Sequence, residues 1–169
     1  LEANVLAAIQ LQVEAALDYD KLLDKLRGSE GEKNIRDQQN ALITSLNLRL
    51  NGVSKKRTRL YEDYAEGLLD EAEYSFAKKS YDEQYADLSR RLDEAVQRRS
   101  KFDEAMSVDN KWITLMKSVS TATQLSQDLV DESVELVKVH EGGAVELVMK
   151  YGDIYELTIQ SIKEVQEAM

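Results

Sequence analysis

The chain has no cysteine and no proline, and only one histidine and one tryptophan, among 169 residues. Without cysteine there are no disulfides, thiolate metal sites or cysteine nucleophiles. Without proline the residue that most effectively breaks helices is missing. A lone His140 among scattered carboxylates makes a poor zinc or transition-metal site, so no cofactor is expected in this chain. No apolar run approaches the ~20 residues that a membrane span requires, and no membrane partner is expected. The first residues are amphipathic rather than patterned as a secretory signal. There is no Gly-x-Gly-x-x-Gly and no Walker loop. The serines are scattered, and no Ser-His-Asp triad can be assembled around His140. The chain therefore reads as non-catalytic. It begins at Leu1 rather than Met, which is read as the start of a piece from a longer protein.

Charge is abundant but unbalanced. Charged residues make up 32% and aromatics 7%, with a net charge of −10. That profile fits long solvated helices better than a sheet-based enzyme core, and the narrow apolar stripes speak against a compact two-layer core. The sign argues against a free-standing nucleic-acid binder. Residues 120–169 carry ten Asp/Glu against three Lys/Arg, a net −7. That part is expected to face protein rather than phosphate.

Apolar spacing predicts a first helix over residues 1–27, with Leu6, Ile9, Val13, Leu17 and Leu22 or Leu23 on one face. Gly28-Ser29-Glu30-Gly31 reads as a break, so residues 1–33 form the first segment. From Asn34 a second helix carries Ile35, Leu42, Leu46, Val53, Leu60 and Tyr64, with Arg49 and Lys56 weakening the seam. Glu66-Gly67-Leu68-Leu69 stops it. Asp70 restarts a helix, with Glu73 reaching back as in a capping box. The third helix has a cleaner heptad: Tyr74, Tyr81, Leu88, Ala95 and Phe102 in one series, Tyr85, Leu92, Arg99 and Met106 in the other. Two long helices joined by a short turn lie antiparallel. Residues 34–107 thus form a coiled-coil hairpin with its tip near 66–70, pairing Tyr64 with Tyr74, Val53 with Tyr85, Leu46 with Leu92 and Ile35 with Phe102. Each arm would be roughly 50 Å long.

Residues 108–169 change character. Asp109-Asn110 precedes a short helix with Trp112, Ile113, Leu115 and Met116; Trp112 is expected in the core of that joint. Ser126 is the N-cap of a helix from Gln127 to about Val134. Leu136–His140 and Val145–Tyr151 alternate as strands around a turn at Glu141-Gly142-Gly143, giving a β-hairpin over 136–151. Such a hairpin must pack on helix 127–134 or on further structure. Ile154–Met169 reads as a weakly helical tail. The fold class is mainly α: a long antiparallel coiled-coil helical hairpin with a small α+β C-terminal part.

Two stretches are candidate sites. Leu60, Tyr61, Tyr64, Leu68, Leu69 and Tyr74 crowd the hairpin tip. They can close the hairpin end by packing, or they can form a docking surface, since six such side chains cannot all be buried between two helices. Lys55, Lys56, Arg57 and Arg59 form the strongest basic cluster. It can meet phosphate or an acidic partner, or it can be a solvated flank that pairs across the hairpin. Arg90-Arg91 and Arg98-Arg99 allow the same two readings.

The tip carries a resemblance. RLYEDYAEG from Arg59 to Gly67, then DEAEY from Asp70 to Tyr74, resembles the LYEDY-x-x-G-x-I-x-x-x-EY signature of large serine site-specific recombinases, the integrases of mobile elements. A second block follows in order. Trp112-Ile113, LSQDLV from Leu125 to Val130, VKVHE from Val137 to Glu141 and VELVMKY from Val145 to Tyr151 resemble the W…LTRELV…I-x-V…I-x-I-x-F-x-Y ending of those proteins. Leu1 to Gln12 also fits the segment after their last zinc-ribbon cysteines. The resemblance covers about residues 1–158. It implies a parent with a catalytic domain bearing a serine nucleophile, a recombinase domain and a zinc ribbon, all outside this chain. No catalytic or metal residue carries over, because the nucleophilic serine, its arginines and the zinc cysteines are absent. The resemblance further implies a coiled-coil arm whose tip meets other recombinase protomers during synapsis and, in an inhibited arrangement, a recombination directionality factor. DNA would be held by the parent's other domains, in a bacterial cytoplasm and at the nucleoid. Two other readings stand beside it: a stand-alone coiled-coil scaffold or adaptor without a DNA role, and a direct DNA-binding arm using Lys55 to Arg59.

Overall fold

A computed structural model describes residues 2–141 and 145–169. In chain order the elements are α1 (Glu2–Leu26), α2 (Glu30–Ala65), α3 (Glu71–Met106), α4 (Lys111–Ser118), α5 (Gln127–Ser133), β1 (Val134–Val139), β2 (Val145–Met149) and α6 (Gly152–Glu167). The fold is mainly α with one small antiparallel sheet. Two compact units are present: Leu1–Ile35 together with Lys101–Met169, and Arg36–Ser100.

In the first unit, α1 packs on α4, α6 and β2. Its buried face is Val5, Ile9, Val13, Ala16, Leu23 and Leu26. The expected face is corrected at one step: Ala16 is buried and Leu17 is exposed. The helical repeat explains this, because Ile9, Ala16 and Leu23 fall seven apart and leave Leu17 on the flank. The same unit buries Phe102, Met106, Trp112, Ile113, Met116, Leu129, Val134, Ile154, Ile162 and Val165 in one cluster. A real core therefore exists, which the narrow stripes of α2 and α3 did not lead one to expect.

Two boundaries are corrected. α2 starts at Glu30, four residues before the expected Asn34. Ser29 Oγ accepts from the Glu32 N–H at 3.2 Å, and the Glu32 carboxylate accepts from the Gly28 N–H. These bonds satisfy two donors at the start of a helix, so the cap wins over the glycines. Gly31 is not a break but a contact: a Cβ there would lie 2.3 Å from the Val165 carbonyl oxygen. The second correction is the C-terminal tail. It is a full helix, α6, burying Ile154, Thr158, Ser161, Ile162 and Val165. Two of those five positions are polar, which hid the apolar face.

Polar groups tie this unit together. Arg27 donates to the carbonyl oxygens of Met106 (2.9 Å) and Ser107 (2.7 Å), where α3 ends. A cation there meets the negative end of the helix. Asn110 caps α4, its Oδ1 accepting from the Ile113 N–H at 3.1 Å. Its Nδ2 donates to the Ala105 carbonyl (2.9 Å) and to Thr158 Oγ1 (2.8 Å). Ser126 caps α5 as expected, accepting from the Leu129 N–H at 3.1 Å.

The strands pair Leu136 with Val148 and Val137 with Leu147, with an irregularity between Val134 and Leu136. β1 begins two residues before the expected Leu136 and ends at Val139; β2 ends at Met149 rather than Tyr151. The Lys150 N–H still bonds to the Ser133 carbonyl opposite it at 3.0 Å, where α5 ends. Of β1 only Val134 is buried, while Leu136, Val137 and Val139 stay exposed, so the expected packing of the hairpin on the preceding helix is limited to its first residue; Leu147 and Met149 of β2 lie against the core. The turn expected at Glu141-Gly142-Gly143 falls on 142–144, outside the described residues.

The second unit is a helical hairpin built from α2 and α3. The α2 arm within it, residues 36–65, runs for roughly 45 Å at the standard rise. Leu46, Val53, Leu88 and Ala95 are buried in its seam, with Ile43, Leu50, Tyr81, Tyr85 and Leu92 packed against them. The expected partners Val53/Tyr85 and Leu46/Leu92 thus share one cluster. The second α2 series is corrected by one residue. Ile43 and Leu50 occupy it, while Leu42, Arg49 and Lys56 are exposed.

Candidate functional site

The hairpin tip is built by its own backbone. Gly67 has φ +76°, where a side chain would be strained. The Gly67 N–H bonds to the Tyr64 carbonyl at 3.0 Å and the Leu68 N–H to the Asp63 carbonyl at 2.9 Å. This 5→2 and 6→1 pair is a Schellman stop, and it satisfies the last carbonyls of α2. Asp70 then opens α3. Its Oδ1 accepts from the Glu73 N–H at 2.8 Å, and Glu73 accepts from the Asp70 N–H at 3.0 Å. The capping box read from the sequence is present.

This geometry divides the six tip candidates. Leu60 is buried, and Tyr64 and Tyr74 stack face to face with centroids 4.3 Å apart. Those three close the hairpin end, although Tyr64 keeps 37% of its surface exposed. Leu69 is half-buried. Tyr61 (62% exposed) and Leu68 (68%) project into solvent. Phe76 joins them at 81% and was missed in the sequence. The signal was available: two residues past the seam position Tyr74, about 200° around the helix, Phe76 points away from the partner arm. An aromatic at such a place has nothing of its own hairpin to cover it.

The basic cluster also divides. Arg57 bonds Asp82 on the facing helix at 2.7 Å, and its guanidinium lies 4.8 Å from the Tyr85 ring centroid. It serves the hairpin. Lys55, Lys56 and Arg59 are exposed and form no ion pair among the described residues. Arg90 is held by Asp87 and Glu94, both at 2.7 Å, which raise its pKa, Asp87 foremost. Arg99 bonds Asn40 across the hairpin.

The remaining chemistry-bearing residues are structural. Trp112 is fully buried, with Tyr155 at 4.6 Å and Tyr19 at 6.0 Å. His140 lies on the surface 3.1 Å from Glu146, which Lys138 also reaches at 2.9 Å. The hydrogen bond from Lys138, and after it the contact with His140, hold the Glu146 carboxyl below its ordinary value of 4.5. A depressed folded pKa gives stability that is present above that ordinary value and is lost as pH falls through the folded one. In a carboxyl ¹³C titration, Lys138→Met is expected to raise the Glu146 midpoint towards its ordinary value. An unchanged midpoint in that variant would contradict the contact.

Among the described residues no group of three or more His, Asp or Glu is placed to hold a metal ion, and no helix is long and apolar enough to cross a membrane. No family model, curated protein or solved structure matches the chain.

Proposed function

We propose that this chain is the interaction arm of a large serine site-specific recombinase, and that the hairpin tip docks on the tip of another protomer. The observation that carries it is the exposure of Tyr61, Leu68 and Phe76 around the hairpin end, two of them aromatic, where the exposed apolar side chains along the arms are the aliphatic Leu42, Leu48 and Val96. Three large apolar side chains left in water around the hairpin turn favour burial against a partner, and aromatics are the side chains that dominate such contacts. The recombinase assignment rests on the two sequence blocks around Tyr64 and Tyr151. DNA cleavage and rejoining, and any zinc, would then belong to other parts of the parent, and a directionality factor would act on this arm.

The direct DNA-binding reading is less favoured. Arg57 is committed to Asp82 and Tyr85, so three exposed cations of the cluster remain, on a chain of net charge −10. So few phosphate contacts give weak binding with a shallow salt dependence. The scaffold reading shares the sticky tip and differs in what the tip serves.

Sedimentation equilibrium tests the docking. The unaltered chain is expected to self-associate with concentration. Tyr61→Ala/Leu68→Ala/Phe76→Ala is expected to weaken that association roughly a hundredfold, about 3 kcal/mol. Tyr64 is left in place, because it stacks on Tyr74. A monomer at every concentration, or equal association by the triple variant, would overturn the docking surface.

A further inference from the structure

The end of the hairpin is polarised. Leu60 to Ala77 carry six Asp/Glu and no Lys/Arg. Just behind them, Gln38 to Arg59 of α2 carry five Lys/Arg and no Asp/Glu. The apex thus holds a charge of −6 and the adjoining stretch of α2 a charge of +5. Asp70 and Glu73 serve the capping box, while Glu62, Asp63, Glu66 and Glu71 form no ion pair among the described residues. Below the tip a groove of about 380 Å³ opens between the two arms. Arg57, Thr58 and Tyr61 of α2 line one side, and Tyr74, Lys78 and Asp82 of α3 line the other. Asp82 meets two cations, Arg57 at 2.7 Å and Lys78 at 3.6 Å. Two cations on one carboxylate leave the groove positive. Neither is sealed off, since the Arg57 and Lys78 side chains are 41% and 55% exposed. The groove therefore sets an exposed ring, Tyr61, beside cations with donors to spare.

We propose that this groove receives the tip of a second copy. Leu68 of the partner subunit lies against Tyr61, and Glu71 of the partner subunit meets Lys78. The contact is reciprocal, as a two-fold pair requires. It rests on the tip-docking reading above and fixes its register. The occupant follows from what one tip offers. Leu68 is exposed at the apex, and Glu71 stands three residues on, held by the first turn of α3. An apolar side chain and an unpaired carboxylate thus arrive together. Charge then selects the alignment. Tips meeting end to end would bring −6 against −6, whereas tips overlapping side by side bring −6 against +5. Within a screening length of about 10 Å the second arrangement is favoured. Nucleic acid suits the groove less well, because its phosphates would lie beside the six carboxylates of the apex.

A charge swap between copies tests this by sedimentation equilibrium. Glu71→Lys and Lys78→Glu are each expected to weaken self-association about tenfold, because each sets like charges together at both contacts of the pair. Lys78→Gln, which adds no carboxylate beside Asp82, should weaken it in the same direction but less. An equimolar mixture of Glu71→Lys and Lys78→Glu should regain the affinity of the unaltered chain, since both contacts are then between opposite charges. Raising salt from about 0.1 M to about 1 M should weaken the unaltered pair, whereas tips meeting end to end would be strengthened as their repulsion is screened. A monomeric unaltered chain would overturn tip docking and this inference with it. Association that ignores the single changes, or a mixture that regains nothing, would leave docking standing and overturn the groove as its seat.

Discussion

Asn110→Ala is expected to lower the stability of the first unit by about 3 kcal/mol. Three bonds are lost together. Ile113 loses the acceptor for its N–H at the start of α4, and the Ala105 carbonyl and Thr158 Oγ1 lose a shared donor. Asn110 and Thr158 are both buried, so water does not replace what is removed. Asn110→Asp separates the parts of this effect. Aspartate is as good a helix cap as asparagine on an exposed helix. Here its second oxygen would face two acceptors, because Thr158 Oγ1 already donates to the Ile154 carbonyl at 2.7 Å. Aspartate should therefore destabilise as well. Denaturant unfolding followed by Trp112 fluorescence reports this unit, which contains the only tryptophan. Near-native stability of the aspartate variant would show that capping, not the buried donor, matters.

The second large effect is expected from the smallest change. Gly31→Ala should destabilise the same unit by about 2 kcal/mol, although alanine is the better helix former by about 1 kcal/mol. The added Cβ would sit 2.3 Å from the Val165 carbonyl oxygen and 2.7 Å from Met169 Cγ. The methionine can swing away. The carbonyl belongs to the α6 backbone and moves only if that helix does. Gly52→Ala is the matched control, since nothing lies within 4 Å of the Cβ it would add. It should stabilise by about 0.5–1 kcal/mol. Opposite signs for the same substitution would place α6 against the first turn of α2. A stabilising Gly31→Ala would contradict that contact.

These positions show where the sequence was readable. Helices α1 to α5 were legible because proline is absent and the apolar steps are regular. The tip turn was legible because glycine and a capping pair have local chemistry: Gly67, Asp70 and Glu73 act on their own neighbours. The stacked Tyr64 and Tyr74 followed from the antiparallel register alone. Tertiary contacts were hidden. Gly31 looks like a breaker until α6 lies against it. Thr158 and Ser161 look like surface until Asn110 reaches Thr158. The one-residue error in the α2 seam has the same origin, since Leu42 and Ile43 are equally apolar and only the facing helix selects between them. Phe76 lies off the heptad, and only heptad positions need apolar residues for packing, so the seam pattern does not mark it.

The division of the tip follows the same logic. Side chains at seam positions, Leu60, Tyr64 and Tyr74, are consumed by the hairpin. Those off the seam, Tyr61, Leu68 and Phe76, are left for something else. Only the second group should matter to association, and only the first to the stability of the hairpin end.

Thiol cross-linking tests the docking claim most directly, because the chain has no cysteine of its own. Glu66→Cys places one thiol at the tip, and Gln97→Cys places one far down the α3 arm. Under mild oxidation the tip thiol is expected to form a covalent dimer quickly, and the arm thiol slowly. Adding the Tyr61, Leu68 and Phe76 changes to Glu66→Cys should remove the fast reaction. Equal rates at the two positions, or a fast tip reaction that survives the triple change, would contradict tip-to-tip docking.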